Sequence, residues 1–140
     1  MIETNLDLWE IGIVKVITTN GVVTKDMKAV MGRGCALEAK LKFPGIDETL
    51  GRMIHNFGNI PHVINLNPIV VSFPTKHHWK DKSDIDLIQL SGYHLRALAD
   101  EFNWNFVAMP QPGCGNGKLK WEDVKPVLGM LDSRFYICQK

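Results

Sequence analysis

The sequence predicts an α/β protein with one mixed sheet that is covered by helices on both faces. Short apolar runs rich in β-branched residues alternate with segments whose apolar residues recur every three to four positions. This alternation is typical of βαβ units, in which helices pack against a largely parallel sheet. A chain of 140 residues can bury one substantial core, so we expect residues 1–140 to form a single domain.

The first half of the chain is predicted to contain two strands and two helices. Residues 14–19 are mostly β-branched and predict a buried strand that ends at the turn signal Asn20-Gly21, after a short edge strand at 1–5. Helices are predicted at 36–43, where alanine, leucine and lysine dominate, and at 47–55. The connections are a turn at 6–9, a polar surface excursion at 24–28 and a glycine-bracketed strand-to-helix junction at 30–36.

The second half begins with a predicted hairpin, whose strands at 62–66 and 69–73 are joined near Asn67-Pro68. Proline and polarity predict a loop over 74–80. The longest helix is predicted to start at a cap formed by Ser83 or Asp84 and to reach Phe102. The remaining predicted elements are a strand at 105–109, a helix at 121–131 and a strand at 134–138.

Composition excludes several function classes. A net charge of +1 gives no electrostatic argument for bulk nucleic-acid binding. No apolar run approaches the ~20 residues that a membrane-spanning helix needs. Three cysteines without paired spacing predict neither a metal site nor a disulfide framework, and they favour a reducing compartment. We therefore expect a cytoplasmic protein with no metal and no membrane partner. We further expect a monomer that needs no cofactor.

Residues 113–117 carry three glycines in five positions, directly after a predicted strand. Glycine permits positive φ angles, which let successive backbone N–H groups converge on one point. The helix expected just beyond the loop would add unpaired N–H donors and the positive end of a dipole. Such a loop suits a phosphate group; the alternative is a tight turn that merely requires glycine.

Three loops leave the ends of predicted strands, at 20–34, 74–79 and 113–117. In open α/β sheets ligands bind in the crevice outside the carboxyl ends of the strands. Two glycine loops that meet there can hold a diphosphate through their backbone N–H groups. Because neither the P-loop nor the dinucleotide fingerprint occurs in the chain, we expect a nucleotide diphosphate held by a different scheme.

Three runs resemble the macro domain family, in the branch of the DarG-type DNA ADP-ribosyl glycohydrolases and the human terminal ADP-ribose protein glycohydrolase. These runs are VMGRGCAL at 30–37, FPTKHHW at 73–79 and GCGNGKLKW at 113–121. The resemblance covers nearly the whole chain in order. It implies a three-layer α/β/α sandwich that binds ADP-ribose.

Carried over residue by residue, the resemblance implies a set of ADP-ribose-binding positions. These are Asp7, Leu8, Thr19, Asn20, Gly32, Arg33, Gly34, Cys35, Thr75, Gly113, Cys114, Gly115, Asn116 and Gly117. It places Asp7 beside the adenine amine and Asn20 by the distal ribose, whereas the residues alone allow a capping Asp7 and a turn-forming Asn20. The sequence departs from the family in one respect: the excursion at 24–28 is longer than the corresponding link in many relatives. This departure affects the placement of Asn20, which precedes the excursion.

The resemblance also implies that Lys76 is the catalytic residue, because Phe-Pro-Thr-Lys is reproduced at 73–76. An amine beside the ribose can attack the anomeric carbon, act as a base or stabilise the leaving group; the alternative is an ordinary surface lysine. Gly117 stands where the human relative has an aspartate, which disfavours a lysyl intermediate resolved by a carboxylate. His78 and Trp79 match the DarG-type branch and are candidate nucleic-acid contacts, or else a solvated histidine and a loop anchor.

Several functions follow from these residues. The first is an ADP-ribosyl glycohydrolase that removes ADP-ribose from a DNA base, with ADP-ribose or an ADP-ribosylated macromolecule such as single-stranded DNA as partner. The alternatives are an ADP-ribose 1″-phosphate phosphatase and a reader that binds ADP-ribose without turnover. A Cys114 thiol nucleophile with His77 or His78, acidified by its glycine-flanked position, is disfavoured because the family's loop binds phosphate through its backbone.

Overall fold

Six strands form one mixed sheet in the computed structural model, which describes residues 1–139. The strands are β1 (Ile2–Thr4), β2 (Val14–Asn20), β3 (Val63–Leu66), β4 (Ile69–Lys76), β5 (Val107–Pro110) and β6 (Phe135–Cys138). Their order across the sheet is β1-β6-β5-β2-β4-β3. The neighbours are parallel, except for the antiparallel hairpin of β3 and β4. Residue 140, which the predicted domain includes, lies outside the described residues.

Helices cover both faces of the sheet, which confirms the predicted three-layer α/β/α arrangement. They are α1 (Gly34–Lys42), α2 (Ile46–Phe57), α3 (Ile85–Phe102) and α4 (Trp121–Val124), with single 3-10 turns at Gly115–Gly117 and Lys125–Leu128. Successive side chains of a strand point to opposite faces. Val16 therefore packs in one core with Ile88 of α3, while Ile17 packs in the other with Ala39 of α1 and Leu50 of α2.

Several predicted elements are confirmed with small shifts of their ends. β1 is an edge strand, β3 and β4 form the hairpin, and α2 extends beyond 47–55 at both ends. Asp84 is the N-cap of α3, since its Oδ1 accepts hydrogen bonds from the backbone N–H groups of Asp86 and Leu87 at 2.9 and 3.3 Å. No helix within residues 1–139 has both the length and the apolar character that crossing a membrane requires.

The loop predicted at 74–80 begins too early, because β4 continues through Pro74 and Thr75 to Lys76. Proline cannot donate a ladder hydrogen bond and is tolerated in a sheet near irregularities. Here Thr19 pairs with Pro74 while Asn20 pairs with Lys76, so the register shifts at this place. The shift lets the strand continue past the proline, so that Lys76 lies at the carboxyl end of β4.

Two other predictions are wrong. Residues 30–32 form no strand, since the pairing nearest to them is an isolated bridge between Val23 and Ala29. The helix predicted at 121–131 stops after α4, because Pro126 lacks the N–H that an α-helix needs and the chain continues as a 3-10 turn. The helix expected just beyond residues 113–117 is therefore short and starts only at Trp121.

Candidate functional site

A cavity of about 490 Å³ opens at the carboxyl ends of β2, β4 and β5. These three strands are parallel neighbours, so their carboxyl ends meet at one edge of the sheet. Its volume lies within the range of small-molecule sites, about 300–1,000 Å³. The wall is completed by the turn at 7–9, the loop at 30–34 with the start of α1, and the glycine loop at 113–117.

The cavity brings together residues that lie far apart in the sequence. Every predicted ADP-ribose-binding residue lines it: Asp7, Leu8, Thr19, Asn20, Gly32, Arg33, Gly34, Cys35, Thr75, Gly113, Cys114, Gly115, Asn116 and Gly117. Lys76 and Trp79 line it as well, whereas His78 lies outside its wall. The residues that line the cavity form one candidate site, and the role of each residue stays a prediction.

The first glycine loop leads directly into α1. Gly34 has φ +56°, in the left-handed region, and opens the helix after Arg33 at the N-cap position. Within the described residues the Arg33 side chain makes no cap hydrogen bond, and the first turn of α1 holds no acidic residue. A Cβ on Gly32 would meet no described heavy atom within 4 Å. This loop therefore presents open backbone and a helix N-terminus to the cavity, an arrangement that suits an anion.

The second glycine loop folds back over the start of α3. Gly113 and Gly115 have φ +80° and +67°, and a 3-10 turn spans Gly115–Gly117. The Ser83 N–H donates to the Gly117 carbonyl at 3.1 Å, and a Cβ on Gly117 would overlap the Ser83 hydroxyl oxygen. A side chain at position 117 would therefore have to displace the Ser83 hydroxyl.

Neither cavity cysteine is an activated nucleophile. Burial raises the pKa of the Cys114 thiol, so the expected acidification of Cys114 is wrong. Burial likewise raises the pKa of Cys35, whose sulfur accepts a hydrogen bond from the Thr18 N–H at 3.4 Å. Both thiols are therefore neutral at neutral pH, which argues against thiol catalysis.

The turn at 7–9 closes one end of the cavity. Asp7 Oδ1 accepts a hydrogen bond from the Trp9 N–H at 2.8 Å, so this oxygen has the capping contact that the residues alone allowed. The Trp9 indole N–H donates to Glu38 Oε2 at 3.2 Å, which ties the turn to α1. Beneath it, the buried Lys15 ammonium donates to the carbonyls of Leu8 and Ile11, and burial lowers the pKa of Lys15. These contacts hold the turn in place against the sheet.

Asn20 joins the end of β2 to the loop that precedes Gly32. Its Nδ2 donates to the Val30 carbonyl at 2.9 Å, and its Oδ1 accepts from the Val22 N–H at 3.0 Å. Both ends of the side-chain amide therefore bond to protein backbone. The turn-forming role is visible in these contacts, and the predicted position by the distal ribose stays a prediction.

Lys76 ends β4 and faces the loop that follows. Its Nζ donates to the Trp79 carbonyl at 3.4 Å, and Asn59 Nδ2 donates to the Lys76 carbonyl at 3.1 Å. Trp79 is 43% exposed and stacks on His78, with ring centroids 5.5 Å apart and planes at 28°. Lys80 Nζ lies 5.1 Å from the Trp79 ring centroid. An exposed aromatic cluster with a cation thus borders the cavity next to the lysine.

Several lining residues were not predicted. They are Trp9, Thr18, Val30, Met31, Ala36, Glu38, Ser83, Pro110 and Gln111. Ser83 carried a signal, since it was one of two candidates for the cap of α3, but Asp84 is the cap. The hydroxyl oxygens of Thr19 and Ser83 are buried without a hydrogen-bond partner among residues 1–139. The described residues also contain no cluster of three or more His, Cys, Asp or Glu that could hold a metal ion.

The sheet order, the two helical layers and the two glycine loops at the carboxyl edge define an α/β sandwich with a glycine-lined crevice. A sequence model of the macro domain family matches residues 49–128. The chain therefore belongs to the macro domain family, as the resemblance implied.

The relatives that the chain matches include several proteins named DNA ADP-ribosyl glycohydrolase. The DNA ADP-ribosyl glycohydrolase of Mycobacterium tuberculosis is 34% identical over 119 residues, which cover 74% of this chain and 32% of the relative. This chain spans about a third of the length of the curated relatives it matches. The macro domain is thus the part that the proteins share.

Solved structures have the same fold. The macrodomain of Mycobacterium tuberculosis DarG superposes with a TM-score of 0.78 at 27% identity, covering 96% of this chain and 95% of that one. Thermosipho africanus DarTG in complex with ADP-ribose gives 0.73 at 24% identity, covering 91% of this chain and 38% of that one. These superpositions confirm the three-layer macro domain fold.

Proposed function

We propose that this chain is an ADP-ribosyl glycohydrolase that removes ADP-ribose from a DNA base. The observation that carries the proposal is the cavity in which two glycine loops and Lys76 share one wall. The name of the Mycobacterium tuberculosis relative supports the same activity. We further propose that residues 1–140 make up the macro domain and that the protein acts as a cytoplasmic monomer.

The lining residues suggest how ADP-ribose lies in the cavity. The adenine would lie against the turn at Asp7 and Leu8, where a carboxylate can accept a hydrogen bond from the exocyclic amine. The diphosphate would bridge the loops at 32–34 and 113–117, whose open backbone suits phosphate oxygens. The distal ribose would then reach Thr75 and Lys76 at the end of β4.

Lys76 is the group that we assign to the chemistry. In the reaction the bond between ribose C1″ and the base breaks, water oxygen bonds to C1″, and the water proton passes to the base. An amine next to C1″ can attack it, act as a base towards water or stabilise the departing base. Mass spectrometry of the quenched enzyme distinguishes the first role, because only nucleophilic attack leaves ADP-ribose covalently bound to Lys76.

A substitution of Lys76 tests the activity. Wild type should release free ADP-ribose from single-stranded DNA carrying ADP-ribosylated thymidine. Lys76→Ala should release it about 100-fold more slowly or worse, the size of a general acid–base or nucleophilic contribution. Lys25→Ala is the matched control, because Lys25 is exposed and lies outside the cavity wall. Equal release by wild type and Lys76→Ala would refute the role of the lysine.

A reader that binds ADP-ribose without turnover is the second candidate. It is favoured by Gly117, since this position holds no carboxylate to resolve a lysyl intermediate, and by the contact of Lys76 Nζ with the Trp79 carbonyl. The reader is correct if neither wild type nor Lys76→Ala releases any ADP-ribose from the modified DNA, while added ADP-ribose raises the melting temperature of both proteins. Release of phosphate from ADP-ribose 1″-phosphate would instead identify the phosphatase.

We also propose that single-stranded DNA contacts the loop beside Lys76. Trp79 lines the cavity and is still 43% exposed, so a base next to the modified one can stack on it. His78 and Lys80 flank the same ring and can approach a phosphate. A local contact of this kind is compatible with the nearly neutral charge of the whole chain.

A further inference from the structure

Ser83 occupies a special place beneath the second glycine loop. It is 7% exposed and lines the cavity. Its N–H bonds to the Gly117 carbonyl, and Cβ atoms built on Gly113 and Gly117 would lie 3.2 and 3.1 Å from the Ser83 Cβ. Both ends of the loop therefore approach Ser83, and at Gly113 the side chains of Ile88 and Leu119 lie closer still.

The Ser83 hydroxyl has no function in the unliganded protein that the contacts reveal. Its oxygen has no hydrogen-bond partner among residues 1–139. The start of α3 does not need it, because Asp84 caps the helix. A buried hydroxyl without a partner costs free energy, and alanine at this position would avoid that cost. A partner supplied from outside the chain explains why a polar residue stands here.

The cavity indicates what that partner is. Ser83 sits under the loop that, in the proposed function, holds a phosphate of ADP-ribose, and α3 starts with its N-terminus beside it. We propose that Ser83 is a further ligand-binding residue, whose hydroxyl donates a hydrogen bond to an oxygen of the phosphate seated on residues 113–117. The inference rests on the proposed binding of ADP-ribose.

Binding requires a small movement of the loop, because Gly117 covers the hydroxyl. Of the two hydrogen bonds that close this turn, the one from the Lys118 N–H to the Gly115 carbonyl is 3.0 Å. The other, from the Gly117 N–H to the Cys114 carbonyl, is long at 3.4 Å. An outward shift of Gly117 breaks this long contact and stretches the 3.1 Å bond from the Ser83 N–H to the Gly117 carbonyl. In return the Ser83 hydroxyl gains a hydrogen bond to a charged oxygen, which is stronger than a neutral one.

Ser83→Ala separates this role from a structural one. Titration calorimetry with ADP-ribose should show a dissociation constant about tenfold higher than that of wild type, the loss expected for one hydrogen bond to a charged group. Without ligand, the melting temperature of Ser83→Ala should equal or exceed that of wild type, since the substitution removes an unpaired buried hydroxyl.

Ser91→Ala is the matched control in the same helix. The Ser91 hydroxyl is buried and donates to the Pro74 carbonyl at 2.8 Å, and Ser91 lies outside the cavity wall. This variant should melt at a lower temperature than wild type and bind ADP-ribose with an unchanged dissociation constant.

Two results for Ser83→Ala would overturn the inference about Ser83 and leave the proposed function intact. One is an unchanged dissociation constant while wild type binds ADP-ribose. The other is a fall in the unliganded melting temperature as large as that of Ser91→Ala, because the hydroxyl would then have a partner within the protein. Absence of ADP-ribose binding by wild type would refute the proposed function itself, and the inference with it.

Discussion

At the scale of single residues, the close approach of Gly117 to Ser83 decides the path of the loop. A Cβ on Gly117 would overlap the Ser83 hydroxyl oxygen. Gly117→Ala should therefore lower the free energy of unfolding by about 1–3 kcal/mol, the usual cost of overpacking. Urea denaturation monitored by tryptophan fluorescence measures the change.

The companion variants identify the cause of that loss. Adding Ser83→Ala to Gly117→Ala removes the overlapping oxygen and leaves a Cβ contact of 3.1 Å, so most of the stability should return. Gly32→Ala is the control, because a Cβ on Gly32 would meet no described heavy atom within 4 Å, and its effect should stay within about 0.5 kcal/mol. Equal stability of Gly117→Ala and Gly32→Ala would show that Gly117 does not approach the Ser83 hydroxyl this closely.

At the scale of elements, α2 supports the excursion at 24–28 that leads from Asn20 to the first glycine loop. Gly51 lies in the middle of α2, and a Cβ there would overlap the Met27 carbonyl and lie 2.9 Å from the Ala29 nitrogen. The Ala29 N–H also donates to the Asp47 carbonyl at 2.9 Å. The excursion is thus anchored on a helix, which helps to hold Asn20 and Gly32 at the same cavity.

Gly51→Ala tests this packing. Helix propensity alone would favour alanine by about 1 kcal/mol. Because the overlapping atoms belong to backbone and cannot rotate away, we expect a net loss of about 1–3 kcal/mol in the free energy of unfolding. Chemical denaturation of Gly51→Ala beside Asn56→Ala, at an exposed position of the same helix, provides the comparison. A gain in stability for both variants would show that the excursion does not rest on Gly51.

At the scale of the whole molecule, a charged network joins α3 to the segment ahead of β6. Arg134 contacts Asp100 at 2.8 Å and Asp132 at 2.9 Å, and Arg96 contacts Asp132 at 3.7 Å. The hydrogen bond from Arg134 is the main cause that lowers the pKa of Asp132 from 3.8 to about 2. The pKa of Asp100 is also lowered, again chiefly by Arg134.

This network predicts a dependence of stability on pH. The pKa of Asp132 is lower in the folded protein, so its contribution is present above the unfolded value of 3.8 and is lost as the pH falls towards 2. Since the partners are substantially exposed, the contribution should be about 1 kcal/mol or less. When both proteins are denatured between pH 3.8 and about 2, the free energy of unfolding should fall less steeply with decreasing pH for Asp132→Asn than for wild type. Asp26→Asn, at an exposed turn position, is the control, and parallel curves for Asp132→Asn and wild type would exclude the contribution.

Much of the fold was predictable because its signals are local. A β-branched run marked β2, and the acidic cap and apolar period marked α3. The glycine loops followed from their composition, and the lysine from a contiguous motif. The predicted cavity residues also lie together, because parallel strands bring their carboxyl ends to one edge.

Two of the errors arose where distant residues decide the outcome, and one arose where a proline within the segment outweighs its apolar pattern. Pro74 signalled a loop, yet a register shift against β2 keeps it in β4. The apolar period after Trp121 signalled a longer helix, and the proline within it cut the helix short. Cys114 seemed acidified by its neighbours in sequence, whereas burial in the folded chain raises its pKa.

The sequence by itself determined the class of fold, the family and the set of candidate ligand-binding residues, because propensity, periodicity and motifs are read along the chain. Only the tertiary structure decided which hydroxyl lies unpaired under the glycine loop, how the excursion rests on α2 and which thiols are neutral. Those properties depend on burial and on contacts between segments that folding alone brings together.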